Sequence, residues 1–144
     1  QIVIAKPEHS WDLHEELLQN CIDLWNELGL HYEVVNICTG DMGTVAAKKY
    51  DLEAWLPGAN QYKEIVSCSN CTDYQANRLQ IKYGQPGHAN QPIVHTLNST
   101  AVATSRALVA IIEQNQLADG RVSIPGPLVP LMGGQTMLEP CSWG

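Results

Sequence analysis

The stretch Asp51-Leu-Glu-Ala-Trp-Leu-Pro57-Gly58-Ala59-Asn60-Gln61-Tyr62-Lys-Glu-Ile-Val-Ser67 decides the architecture. Its first six residues alternate, with Leu52, Ala54 and Leu56 on one face, the period-two pattern of a half-buried strand. Pro57 to Asn60 supplies turn chemistry, and Tyr62 to Ser67 reads as the returning strand. Two strands joined by so short a Pro-Gly turn pair antiparallel. Upstream, Tyr32-Glu-Val-Val-Asn-Ile-Cys38 is another strand rich in β-branched residues, followed by the glycine-bearing loop Thr39 to Gly43. Ile2 to Ala5 is a short apolar strand stopped by Pro7. Downstream, Tyr74 to Tyr83 starts helical and turns strand-like, Gly84 to Pro92 is a polar loop, and Ile93 to Leu97 is a further strand.

Helices bracket these strands. His14, Leu17, Leu18, Cys21, Ile22, Trp25 and Leu28 recur at three- and four-residue spacing, the stripe of an amphipathic helix. Ser10 reads as its N-cap and Gly29 as the residue just past its end. His14 is the one polar member of that stripe. Ala101 to Gln116 is a second helix, with Val102, Leu108, Val109 and Ile112 as its expected buried face. From Gly120 the Pro and Gly content predicts an irregular tail. The fold class that follows is α+β: an antiparallel sheet with flanking helices.

Composition narrows the function. The net charge is −7 and the pI about 5.0, and the basic residues form no cluster longer than Lys48-Lys49. A surface that grips nucleic acid by its phosphates carries a basic stripe, so this chain alone is a poor nucleic-acid binder. No apolar run reaches the roughly 18 residues of a membrane-spanning helix, so no membrane partner is expected. The opening Gln1-Ile-Val-Ile-Ala lacks the pattern of a signal peptide and reads as starting mid-domain. Five cysteines, an odd number without a secretory signal, predict free thiols in a reducing cytoplasm.

Several residues are candidates for chemistry. Cys68-Ser-Asn-Cys71 has the spacing of half a zinc site, which Cys38, His88 or His95 would have to complete; the alternative is a pair of small packed thiols. His95 on an apolar strand is either a general base or a hydrogen-bonded core residue. Asp41 is either a metal ligand or a turn former. Glu64 and Ser67 offer the hard oxygens that Mg²⁺ takes, but residues i and i+3 of a regular strand face opposite ways. Both reach one ion only if the strand bulges near Val66 or Ser67; otherwise they form a solvated face. Arg106, early in the second helix, suits an anion bound at the helix N-terminus, or else a salt bridge to a carboxylate such as Glu113.

The run His95-Thr-Leu-Asn-Ser-Thr-Ala-Val-Ala-Thr-Ser-Arg106-Ala-Leu-Val-Ala-Ile-Ile-Glu113 resembles motif 3 of the class II aminoacyl-tRNA synthetases, and its HTLN-S-T-A opening resembles the seryl enzymes. Val34-Val-Asn-Ile-Cys-Thr-Gly-Asp-Met-Gly43, Tyr50 to Pro57, and Glu64 to Asn70 continuing to Ala76 agree in order. Lys6-Pro-Glu-His-Ser-Trp11 resembles the stretch after motif 2. The likeness covers residues 1–134, expected to be the C-terminal part of the catalytic domain, with 135–144 an irregular tail.

The resemblance implies ATP-dependent activation of serine to seryl-adenylate and transfer to tRNA(Ser). It implies ATP and Mg²⁺ at Glu64, Ile65, Val66, Ser67 and Arg106, with Glu64 and Ser67 facing the metal and Arg106 the γ-phosphate. It places serine at Asn98 and Thr100. In the intact family the enzyme is a homodimer and tRNA is held by segments outside this chain. Motifs 1 and 2 do not occur here, so the isolated chain is expected not to turn over. Asn77, Asn115, Gly126 and Val129 depart from the usual family residues. Two other readings stay open: a non-catalytic synthetase-like interaction module, and a ligase that loads an amino acid onto a carrier protein.

Overall fold

A computed structural model describes residues 1–85, 87 and 91–141 of the chain. His88 and the last three residues lie outside them. The expected α+β architecture is present: a five-stranded sheet in the order β1-β5-β4-β3-β2, with every neighbouring pair antiparallel. The strands are β1 (Ile2–Ala5), β2 (Tyr32–Asn36), β3 (Lys48–Leu56), β4 (Gln61–Asn70) and β5 (His95–Ser99). The hairpin expected at 51–67 is the centre of this sheet, and it runs longer at both ends than alternation suggested. No helix of the described residues is long and apolar enough to cross a membrane.

Helix α1 (Ser10–Glu27) lays its stripe on one face of the sheet. Leu17, Leu18, Cys21 and Trp25 are buried with Leu52, Ala54, Val66, Cys68 and Leu97 in one core. Its C-terminus closes as the sequence indicated. Gly29 stands at φ +69°, its N–H reaching the carbonyl of Asn26, while the N–H of Leu30 reaches that of Trp25. That double closure needs a left-handed residue, which glycine supplies without a Cβ penalty. The N-terminus differs from expectation. Ser10 is the first helical residue, not a side-chain cap, and its hydroxyl bonds the Pro7 carbonyl and the His95 ring Nδ1 at 2.7 Å. A preceding 3₁₀ turn, Pro7–His9, delivers the chain into the helix and makes a hydroxyl cap unnecessary.

Helix α3 (Thr104–Asn115) corrects a second expectation. Its buried residues are Ala107 and Ala110, whereas Leu108, Val109 and Ile112 remain substantially exposed. Small side chains let the helix axis approach β3 closely, and this close approach, not side-chain size, chooses the inner face. A short helix α2 (Tyr74–Leu79) follows β4. Beyond Gly120 the segment read as irregular contains a two-stranded pairing, β6 (Val122–Ser123) with β7 (Met137–Leu138), around a 3₁₀ turn at Gly126–Met132.

His14 is fully buried in the α1–sheet core, stacked on Tyr50 with ring centroids 5.3 Å apart. Its Nε2 meets the carbonyl of Cys68 at 3.1 Å, and its Nδ1 has no partner. A carbonyl can only accept, so Nε2 carries the proton and the ring is neutral. Burial lowers the His14 pKa from 6.5, the Cys68 carbonyl partly opposing. The unfolded chain therefore binds the proton more readily than the folded one, and stability falls as pH drops below 6.5 toward the lowered native value. Across that window chemical denaturation should show a loss of up to about 1.4 kcal/mol per pH unit, flattened in His14→Phe. An equally steep acid loss in the phenylalanine variant would assign the effect to other groups.

Candidate active site

The site is built by one irregularity in β4. The β3–β4 register pairs Leu52 with Val66 but Glu53 with Glu64, leaving Ile65 as an extra residue. Ile65 and Val66 both turn into the core beside Leu52, at 2% and 1% exposure. A bulge of this kind resets the alternation, so Glu64 and Ser67, three apart, emerge on the same open face. This is the condition that a shared metal ion imposed on the pair. Ile65 and Val66 are themselves directed inward, so only their backbone is offered to anything bound on the open face.

The short β5 opens the edge next to this face. It pairs with β4 only from Cys68 to Asn70. Two β4 carbonyls beyond that point are taken by the segment that follows β5. The N–H of Thr100 donates to Ser67 O at 3.1 Å, and Arg106 Nη1 donates to Glu64 O at 2.9 Å. The same Nη1 meets Glu64 Oε1 at 2.8 Å. Arg106 therefore pairs with Glu64, not with Glu113, whose Oε2 accepts the N–H of Gly58 at the hairpin turn at 2.8 Å. Arg106 and Glu64 also help line a cavity of about 390 Å³ with Leu56, Ile65 and Val109.

Asn98 is exposed and stands opposite Ser69 on the same open face as Ser67. Its amide lies 3.6 Å from the Cys71 sulfur. Thr100 is exposed one residue past β5. All the side chains expected at the site, Glu64, Ser67, Asn98, Thr100 and Arg106, thus border one surface. His95 lies on the other face, hydrogen-bonded to Ser10, which is the structural reading of that residue. Cys68 and Cys71 are buried; burial pushes the Cys68 thiol up to about 12 and raises Cys71 as well. Both stay protonated near neutrality, when a zinc ligand would be a thiolate. No three histidine, cysteine or acidic side chains among the described residues gather closely enough to hold a metal by themselves. A Mg²⁺ ion that takes a carboxylate, a hydroxyl and substrate phosphates needs no such trio.

Sequence reasoning missed the acidic neighbours. Glu33, Glu53 and Glu64 stand directly opposite one another across β2, β3 and β4. Asp51 faces Ser67 in the same register and is 4% exposed. Like charges side by side on a sheet repel. The pKa of Glu53 is raised by burial and by Glu33, Asp51 and Glu64. That of Asp51 is raised by burial, against the pull of Ser67 and Lys49. The signal was available: the alternation that sends Leu52 and Ala54 inward sends Asp51 and Glu53 to the opposite face.

The family profile of the tRNA synthetase class II core domain (G, H, P, S and T) matches residues 1–115. The chain is 61% identical over 135 residues to a serine–tRNA ligase of Methanocella arvoryzae and 59% identical over 126 residues to one of Archaeoglobus fulgidus. These alignments cover 93% and 87% of this chain but 32% and 28% of the relatives, so the chain spans about a third of their length. Among solved structures, seryl-tRNA synthetase from Pyrococcus horikoshii complexed with ATP superposes with a TM-score of 0.94 at 51% identity, covering 99% of this chain and 32% of that one. The cytoplasmic serine–tRNA ligase of Naegleria fowleri in complex with AMP gives 0.90 at 44%, covering 96% and 33%. With the profile matching residues 1–115 and the whole sheet superposing on these structures, the chain belongs to the tRNA synthetase class II core domain family.

Proposed function

We infer that this chain forms the phosphate- and serine-facing part of a site that activates serine with ATP for transfer to tRNA(Ser). The observation that carries the reading is the β4 bulge, which turns Glu64 and Ser67 to one face, with Arg106 held on Glu64. Glu64 and Ser67 would hold Mg²⁺ together with substrate oxygens, and the ion supplies charge neutralisation on the phosphates. The donor set fits: two hard oxygens, an acidic surround and no competing thiolate. Arg106 binds the terminal phosphate, for which its planar fork of donors is suited. In the resting arrangement the guanidinium and the Glu64 carboxylate hold each other at the site's edge, so nucleotide arrival exchanges one anionic partner of Arg106 for another. Asn98 and Thr100 offer an amide and a hydroxyl for the amino acid, and the Thr100–Ser67 backbone bond ties that end to the metal end. Catalysis here is positioning and charge stabilisation, with no covalent nucleophile on the protein. The named relatives at 52–61% identity support serine as the amino acid.

The test is serine-dependent exchange of pyrophosphate into ATP by this chain joined to the motif 1 and motif 2 segments of such a relative, followed by loading of tRNA(Ser). Exchange with serine and not with threonine or alanine is expected, and Asn98→Ala should raise the serine KM at least tenfold while leaving the ATP KM within about twofold. Exchange with no dependence on serine would overturn the reading. Serine activation that loads a carrier protein instead of tRNA would move it to the carrier-ligase class.

A further inference from the structure

The carboxylate of Asp51 is a buried polar group on the open face that the reading above leaves without a task. It is 96% buried by its 4% exposure. Its Oδ2 faces Lys49 Nζ at 3.6 Å, and its Oδ1 is buried with no hydrogen-bond partner. An unpartnered buried carboxylate oxygen costs stability, and burying an apolar or amide side chain there would remove the cost. The direction in which Asp51 faces explains what is gained. β3 and β4 place it directly across from Ser67, with Glu64 on the far side of the bulge on the same face.

We propose that Asp51 is a positioning residue for the divalent cation: with the ion bound, its unpartnered Oδ1 accepts the Ser67 hydroxyl hydrogen, so that a serine lone pair points at the ion. The inference rests on Glu64 and Ser67 being the cation ligands. A hydroxyl is a weak ligand whose rotor is free; fixing the proton on one side fixes the lone pairs on the other. Asp51 is placed for that job and for no direct one, because its free oxygen is shielded from solvent while Ser67 lies between strand and open face. Lys49 holds the other oxygen, which stops the carboxylate from rotating away. The row of Glu33, Glu53 and Glu64 adds a field that draws a cation to this face but leaves the orientation of Ser67 to Asp51.

The experiment is titration of Mn²⁺ with ATP into this chain, read by paramagnetic loss of backbone amide NMR signals near Ser67. Wild type should lose the Glu64 and Ser67 signals first. Asp51→Asn should weaken the apparent Mn²⁺ affinity roughly ten- to hundredfold, the range for groups that orient a ligand, while melting no lower than wild type. Asp51→Asn added to Ser67→Ala should cost nothing beyond Ser67→Ala alone. A purely structural Asp51 would give the reverse: a lower melting temperature and affinity within twofold of wild type, which overturns the proposal. Should Asp51→Asn fail to fold, Asp51→Glu carries the test, since it keeps the charge but moves the oxygen off Ser67 and should still lose affinity. Glu64→Gln separates the two layers. If it binds Mn²⁺ like wild type, the cation reading of Glu64 and Ser67 falls and this one with it; if it weakens binding and Asp51→Asn does not, this inference alone falls.

Discussion

Arg106→Ala should lower serine-dependent pyrophosphate exchange by about 10²–10³-fold, the usual cost of removing one preorganised group that meets developing charge. The assay is the joined chain described above at saturating serine. The loss should fall on the ATP side, because the guanidinium lies against Glu64 at the β4 edge and makes no bond to Asn98. The thermal melt should barely move. Arg106 and Glu64 are about half exposed, and water takes over their partners when the pair is removed. Arg106→Lys should recover only part of the rate, since an ammonium cannot fork to two oxygens. A mutant that exchanges at the wild-type rate would remove Arg106 from the phosphate site and reduce its bond with Glu64 to a surface contact.

Trp25→Ala should produce the largest loss of stability of any single change in the chain. Trp25 is fully buried at the C-terminal end of α1, and truncating a core tryptophan costs about 3–5 kcal/mol. That is a large share of the roughly 5–15 kcal/mol that holds a domain together. Its indole N–H also donates to Ala101 O at 3.0 Å. Ala101 sits at φ +55°, a left-handed conformation that a residue with a Cβ adopts at a cost. Trp25 thus pins the turn between β5 and α3, the turn that delivers both Thr100 and Arg106. Trp25→Phe should cost less in urea denaturation, chiefly the hydrogen bond and a small cavity, yet it should still lower exchange by loosening that turn. Unchanged activity in a folded Trp25→Phe would show that the turn is set by its own backbone.

Much of the fold was legible. The period-two run at Asp51 and the three–four stripe from His14 to Leu28 each specify an element and its inner face, because each has enough apolar residues to bury. The inner face of α3 was not, because Leu108, Val109 and Ile112 look more hydrophobic than Ala107 and Ala110. The choice between them was made by closeness to β3, a tertiary matter that no window of sequence contains. The candidate site residues were named through motif likeness, while periodicity alone would have placed Glu64 and Ser67 on opposite faces. The bulge at Ile65 reverses that outcome and leaves only a faint trace, two β-branched residues in succession where alternation expects one. Asp51 was passed over because charged residues on a strand ordinarily mean solvent, and its burial depends on Lys49, Ser67 and the neighbouring strand.

The shortness of β5 sets a ruler for the whole site. Because its ladder to β4 stops at Cys68, the next carbonyls along β4 become sockets into which Thr100 and Arg106 are plugged. The Thr100 N–H on Ser67 O is the last strand-like bond, and a ladder carried on past it to Glu64 would take the carbonyl that Arg106 uses. The spacing between the end of the ladder and the start of α3 is therefore a measured length, and insertion or deletion of a single residue between Ser99 and Thr104 would shift the amino-acid end of the site against the phosphate end as surely as replacing either side chain.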